Sequence, residues 1–149
     1  MIVNRQRSVR VALGPLEEFQ RRVEKLLGLK KSGATVCLVS NGEMARLNRR
    51  YRKKPKATDV LSFPVIAGGK PVKLRGGKVS RAGQGDLGDI AIAPAVARRY
   101  AARHGRALAM ELRILILHGV LHLLGYDHET DRGEMERLEE KLRRRLGLK

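Results

Sequence analysis

Residues 107–124, ALAMELRILILHGVLHLL, are apolar on nearly every side of an α-helix, yet the segment carries two histidines, His118 and His122. A helix without a polar face has to be surrounded, so the rest of the chain must wrap this segment with a sheet or with other helices. The imidazoles within it then need partners, because a buried polar group left unpaired costs free energy. Four residues of helix turn about 400° and rise about 6 Å, which projects His118 and His122 from one face within reach of a common ion. Gly125 lets the chain leave the helix through a left-handed conformation, and Tyr126 and Asp127 carry His128 back toward the same ion. His118, His122 and His128 are three of only four histidines in the chain and fall within eleven residues, which counts against three unrelated core histidines. Three neutral nitrogens leave one tetrahedral position for water, the arrangement of a catalytic zinc ion rather than of a closed structural one.

The chain of 149 residues fits one domain, 1–149, long enough to bury roughly two-thirds of its unfolded surface. Its single cysteine, Cys37, lies in the apolar run ATVCLVS and reads as a buried thiol in a strand, which excludes a disulfide framework and a thiolate metal cluster. The first residues, MIVNRQRSVRV, lack the long apolar stretch of a secretory signal, and no run is long enough to span a bilayer. The expectation is a soluble cytoplasmic protein with no membrane partner. A net charge of +17, from 32 Lys and Arg against 15 Asp and Glu, attracts polyanions. With three Tyr, two Phe and no Trp, such a surface suits the reading of a nucleic-acid backbone more than the stacking of bases.

Hydrophobic periodicity predicts a short strand over about 1–5 and an amphipathic helix from about Pro15 to Leu27, with Leu16, Phe19 and Val23 on its apolar stripe. A buried strand follows over 34–40, and Asn41 opens a helix to about Tyr51 with Glu43 in its first turn. Further strands fall at 60–65 and 89–93. Pro94 starts a helix that ends near Arg103, closed by Gly105; the histidine helix comes next, and a last helix covers about 131–146. Residues 67–85 hold six glycines, five Lys or Arg and no acid, and predict a mobile basic loop. The fold class is α+β: a single small mixed sheet of about four strands packed with about five helices, largely on one side, with the metal site on a central buried helix.

The spacing of the histidines also matches the zinc-protease signature H-E-x-x-H-x-x-G-x-x-H, except that Gly119 stands where the glutamate should be. A metalloprotease uses that glutamate as general base, so peptide hydrolysis by this route loses its proton acceptor. Phosphodiester hydrolysis asks less of the protein, since a metal ion lowers the pKa of bound water to about 7 and polarises a phosphoryl oxygen. Glu111 lies two turns before His118, roughly 10 Å along the axis, too far to be a ligand. His104 reads as a helix-end residue whose charge suits the C-terminal dipole, and Arg143 to Arg145 read in the same way.

The run HGVLHLLGYDH, with Asn48-x-x-Tyr51-Arg52, with the segment from Thr58 to Pro64, and with Gly88-Asp89-Ile90, resembles the YbeY-type endoribonuclease family of bacterial rRNA maturation factors. The resemblance covers roughly residues 35–147. It implies a single-strand-specific, metal-dependent endoribonuclease that acts in 16S rRNA 3′-end maturation and ribosome quality control. It implies rRNA and ribosomal subunits as partners, with a ribosomal protein or a GTPase beside them. On this chain the family's metal ligands fall on His118, His122 and His128, with His118 also counted as catalytic; three imidazole nitrogens suit one zinc ion best as cofactor, while nickel and copper also bind imidazole. Its functional arginine falls on Arg52, which would contact RNA and neutralise the scissile phosphate, since a guanidinium offers two phosphoryl oxygens a planar fork. Asp59 reads as a residue that caps or braces the turn before its strand, and Asp127 as one that holds a histidine ring or caps the turn; neither is assigned to catalysis. The competing readings are a non-catalytic ribosome-assembly factor with a structural metal and, less favoured because of Gly119, a zinc metalloprotease.

Overall fold

The strand around Cys37 is apolar on both faces, so it calls for cover on both sides, as the inner strands of parallel sheets do. In the computed structural model, which describes residues 1–29, 31–52, 58–64, 74–75, 78–79, 84–126 and 131–148, that strand is central. The elements in chain order are β1 (Ile2–Asn4), α1 (Leu13–Leu26), β2 (Lys31–Leu38), α2 (Asn41–Arg52), β3 (Val60–Pro64), β4 (Leu74–Arg75), β5 (Lys78–Val79), β6 (Gln84–Ile92), α3 (Pro94–Arg103), α4 (Leu108–Leu123) and α5 (Glu134–Leu146). The main sheet has the order β1-β2-β6-β3, with β1, β2 and β6 parallel and β3 antiparallel to β6. This is the mixed four-stranded α+β arrangement with five helices expected from the sequence.

Register assigns each face of the sheet its own core. Val36, Ile90 and Ser62 stand in one row across β2, β6 and β3, and Cys37, Ala91 and Leu61 stand in the next row, pointing to the opposite face. The first face packs on α1, α4 and α5 in the larger core, where Val36, Ile90, Ile116 and Leu117 are fully buried. The second face packs on α2 through Met44, Leu61, Ala91 and Ala93. α4 buries ten of its residues, as a helix without a polar side must. Gly119 lets it lie close to the sheet, since a Cβ there would stand 2.8 Å from Ile90 Cγ2.

Three starts differ most from the sequence expectation: β2 begins at Lys31 rather than Ala34, and the starts of β6 and of the last helix also move. β6 begins at Gln84 rather than near Asp89, because its first residues pair with Lys31 to Gly33 of β2 across an irregularity between Gly33 and Ala34. Backbone hydrogen bonds make that extension, and they leave no mark on side-chain periodicity. The last helix begins at Glu134 rather than Asp131. The Asp131 carboxylate instead accepts hydrogen bonds from the backbone N–H groups of Gly133 and Met135, both at 2.9 Å, and so forms the turn that starts the helix. Much of the expected loop over 67–85 lies outside the described residues. Those described within it include β4 and β5, a short antiparallel pair, and the start of β6, so the stretch is not wholly irregular.

Candidate active site

The end of α4 is shaped by Gly125, whose φ of 98° lies in the left-handed region. Gly125 N–H donates to His122 O at 2.9 Å and Tyr126 N–H to Leu121 O at 3.1 Å, the paired bonds of a Schellman turn. His118 and His122 stand on the last two turns before it. Their Nε2 atoms face each other at 3.0 Å, with ring centroids 4.6 Å apart and planes at 74°. One helical period thus brings two of the three expected ligands together. The third, His128, lies outside the described residues.

Across from His118 stands α5. Glu139 Oε1 accepts a hydrogen bond from His118 Nδ1 at 2.7 Å, and Arg143 holds the other carboxylate oxygen at 3.2 Å. A carboxylate on Nδ1 fixes the tautomer that leaves the Nε2 lone pair directed at a cation. Sequence reasoning missed Glu139 because α5 carries many charges and the partner lies 21 residues earlier. A signal was nonetheless present. Met135, Leu142 and Leu146 make the buried stripe of α5, with Leu138 packed against the core beside them, and Glu139 is an acid four residues after Met135 and three before Leu142, on the same side of the helix. Arg143, expected to be a solvated helix end, is instead the residue that steadies Glu139.

The donor set suits a zinc ion. Two imidazole nitrogens on one tetrahedral zinc at about 2.0–2.1 Å stand about 3.3 Å apart, within a few tenths of an ångström of the separation seen here. Among the described residues no group of three His, Cys, Asp or Glu side chains stands together as a metal site.

The neighbouring elements limit the chemistry. Ser62 Oγ donates to Gly119 O at 3.4 Å, tying β3 to the histidine helix. Gly119 faces Ile90 in the sheet, so a glutamate at this position would be driven into the core, and the position has no room for the base of a zinc protease. Burial pushes the Asp59 carboxyl above its usual range, Glu111 adds to the rise, and backbone N–H groups and the charge of His118 oppose it. Glu111, too far along the helix to be a ligand, is buried in an ion pair with Arg106 at 2.6 Å. His104 caps α3, with Nδ1 donating to Tyr100 O at 2.9 Å.

Arg52 ends α2, and its side chain lies outside the described residues. The end of α2 is itself anchored to β3. Tyr51 meets Phe63 edge to face, with centroids 5.1 Å apart, and the Arg50 guanidinium lies 5.5 Å from the Tyr51 ring centroid.

Fold and site together define an α+β protein with two facing imidazoles at the end of a buried helix, braced by a carboxylate. Known proteins narrow that class. The family model described as Endoribonuclease YbeY matches residues 2–147. A protein named Endoribonuclease YbeY from Koribacter versatilis is 45% identical over 148 residues, 99% of this chain and 86% of the relative. Another of that name from Solibacter usitatus is 43% identical over 135 residues, 89% of this chain and 78% of the relative. The solution structure of a Thermotoga maritima protein aligns with a TM-score of 0.63 at 25% identity, covering 98% of this chain and 89% of that one. The chain belongs to the endoribonuclease YbeY family. It is therefore an endoribonuclease, a hydrolase of phosphodiester bonds.

Proposed function

We propose that this endoribonuclease is metal-dependent, cuts single-stranded RNA, and serves 16S rRNA 3′-end maturation and ribosome quality control in the cytoplasm. The observation that carries the metal dependence is the 3.0 Å approach of the His118 and His122 Nε2 atoms, with Glu139 on the far nitrogen of His118. His118, His122 and His128 would hold one zinc ion. Bound there, zinc would supply Lewis acidity, bringing water to a pKa of about 7 and polarising a phosphoryl oxygen.

The remaining work falls to the chain. Glu139 keeps the His118 ring turned so that Nε2 points at the site, and Arg143 keeps Glu139 in place. Arg52, carried on the anchored end of α2, neutralises the scissile phosphate. The net charge of +17 gathers RNA at the surface, which supports rRNA and ribosomal subunits as partners, with a ribosomal protein or a GTPase beside them. Among the described residues no helix is long and apolar enough to cross a membrane.

The test is cleavage of a single-stranded rRNA fragment by purified protein, by His118→Ala and by chelator-treated protein. The expected result is cutting by the first and none by the other two. Undiminished cutting by His118→Ala would trace the activity to a contaminant, and tight ribosomal binding without turnover would replace the proposal with a non-catalytic assembly role.

A further inference from the structure

α3 places two arginines, a tyrosine and a histidine at its exposed end in a fixed relation. Arg99 and Arg103 are four residues apart and so share a face, as do Tyr100 and His104. His104 stacks on Tyr100 with centroids 4.1 Å apart and planes at 23°, and the bond from its Nδ1 to Tyr100 O locks it there. Tyr100 nevertheless remains 42% exposed. Between this face and the start of β3 runs an open cleft of about 520 Å³, lined among the described residues by Thr58, Asp59, Val96, Arg99, Tyr100 and Arg103. That volume lies within the range of small-molecule sites, about 300–1,000 Å³.

The cleft is fixed relative to the active site. Ala93 N–H, at the start of α3, donates to Asp59 O at 2.9 Å, and α3 packs along α4. Asp59, in the cleft wall, stands just before β3, and Ser62 of that strand is tied to the histidine helix at Gly119, the residue after His118. Neither Arg99 nor Arg103 has an ion-pair partner among the described residues, whereas Arg5, Arg106 and Arg143 are each paired. Asp59 is the only acid among the described lining residues, so the cleft wall carries more positive than negative groups.

We infer that this cleft is a nucleotide subsite for single-stranded RNA beside the scissile position, with Arg99 and Arg103 on backbone phosphate and Tyr100, backed by His104, stacking one base. The subsite rests on the nuclease proposal for its substrate but not for its evidence. Two cationic forks and an aromatic ring on one helix face are what a sequence-tolerant single-strand site needs: charge along the backbone and a flat surface for any base.

The test is fluorescence anisotropy of the full-length protein with a labelled single-stranded oligoribonucleotide, its length checked on a gel after each titration. Replacing both arginines by glutamine (R99Q with R103Q) should lower the slope of log affinity against log salt by about 1.4, at about 0.7 per phosphate on a single strand. Tyr100→Ala should weaken binding about five-fold or more, with the loss vanishing on an abasic oligonucleotide. All these side chains are at the surface, so circular dichroism should show wild-type folding. The inference is overturned if the variants bind as wild type does, if Tyr100→Ala loses equally on the abasic strand, or if the charge-matched pair R21Q with R22Q on α1 changes the slope as much. Cleavage by wild type alongside unaffected variants would sink the subsite and leave the nuclease proposal standing. The expected binding losses without any cleavage would support the subsite and sink the proposal of single-strand cleavage.

Discussion

Glu139 Oε1 lies 2.7 Å from His118 Nδ1, joining the last helix to the histidine helix at the one nitrogen that does not face His122. The carboxylate therefore controls a ring it does not share a helix with. Glu139→Gln keeps the size and one oxygen but removes the charge that makes the bond strong. Zinc affinity should fall about 10–100-fold, the usual cost of losing such an outer partner, while the fold is kept. Competition with a chromophoric chelator reads this directly. An unchanged affinity would mean that Glu139 only packs against His118.

Zinc binding should also stabilise the folded chain, because the two facing imidazoles are brought together by folding. Zinc at a hundred times its dissociation constant should add about 2.7 kcal/mol, read as a rise in thermal midpoint. His118→Ala and His122→Ala should each abolish most of that rise. If both variants respond to zinc as wild type does, the ion binds elsewhere.

Gly119 is a packing residue. Alanine is the better helix former by about 1 kcal/mol, but overpacking a core costs about 1–3 kcal/mol. With its Cβ 2.8 Å from Ile90 Cγ2, Gly119→Ala should therefore lose about 1 kcal/mol net in denaturant unfolding. Adding Ile90→Ala should cost less than the sum of the single changes, because the first removes what the second strikes. Gly119→Glu, which restores the zinc-protease motif on paper, should destabilise by about 3 kcal/mol or more and create no peptidase activity.

Burial holds the Asp59 carboxyl above its usual range, so the folded state keeps this proton at pH values where the unfolded chain has released it. Stability tied to Asp59 is then present at and below the ordinary carboxylate pKa and is lost as pH rises through the raised one. Asp59→Asn should flatten the pH dependence of unfolding in that window and leave the variant relatively more stable at neutral pH. Urea unfolding over a pH series measures it, and an unaltered profile would contradict the assignment.

The parts of the structure legible beforehand are those with a period or a cap. Pro94 and Gly105 frame α3, whose observed bounds are the expected ones, and the all-round apolar run from Leu108 to Leu123 is indeed the buried helix. The start of β6 was not legible, since QGDLG carries no strand pattern and owes its pairing to β2. Tyr100 and His104 were visible as residues, but their stack and the cleft beside it needed the approach of β3.

By itself the sequence determined what lies within a few turns of one helix: His118 and His122 on one face, Gly125 with positive φ behind them, and an apolar wrap that makes the helix central. Those relations follow from a fixed rise and twist per residue and need no other part of the chain. Only the tertiary structure decided that Glu139 braces His118, that Gly119 belongs to the sheet and not to the reaction, and that Asp59 shares a wall with Arg99 and Arg103. Each of those contacts joins separate elements whose relative placement comes from packing two sheet faces against different helices. Neither the spacing nor the type of a residue records which neighbour that packing will bring to it.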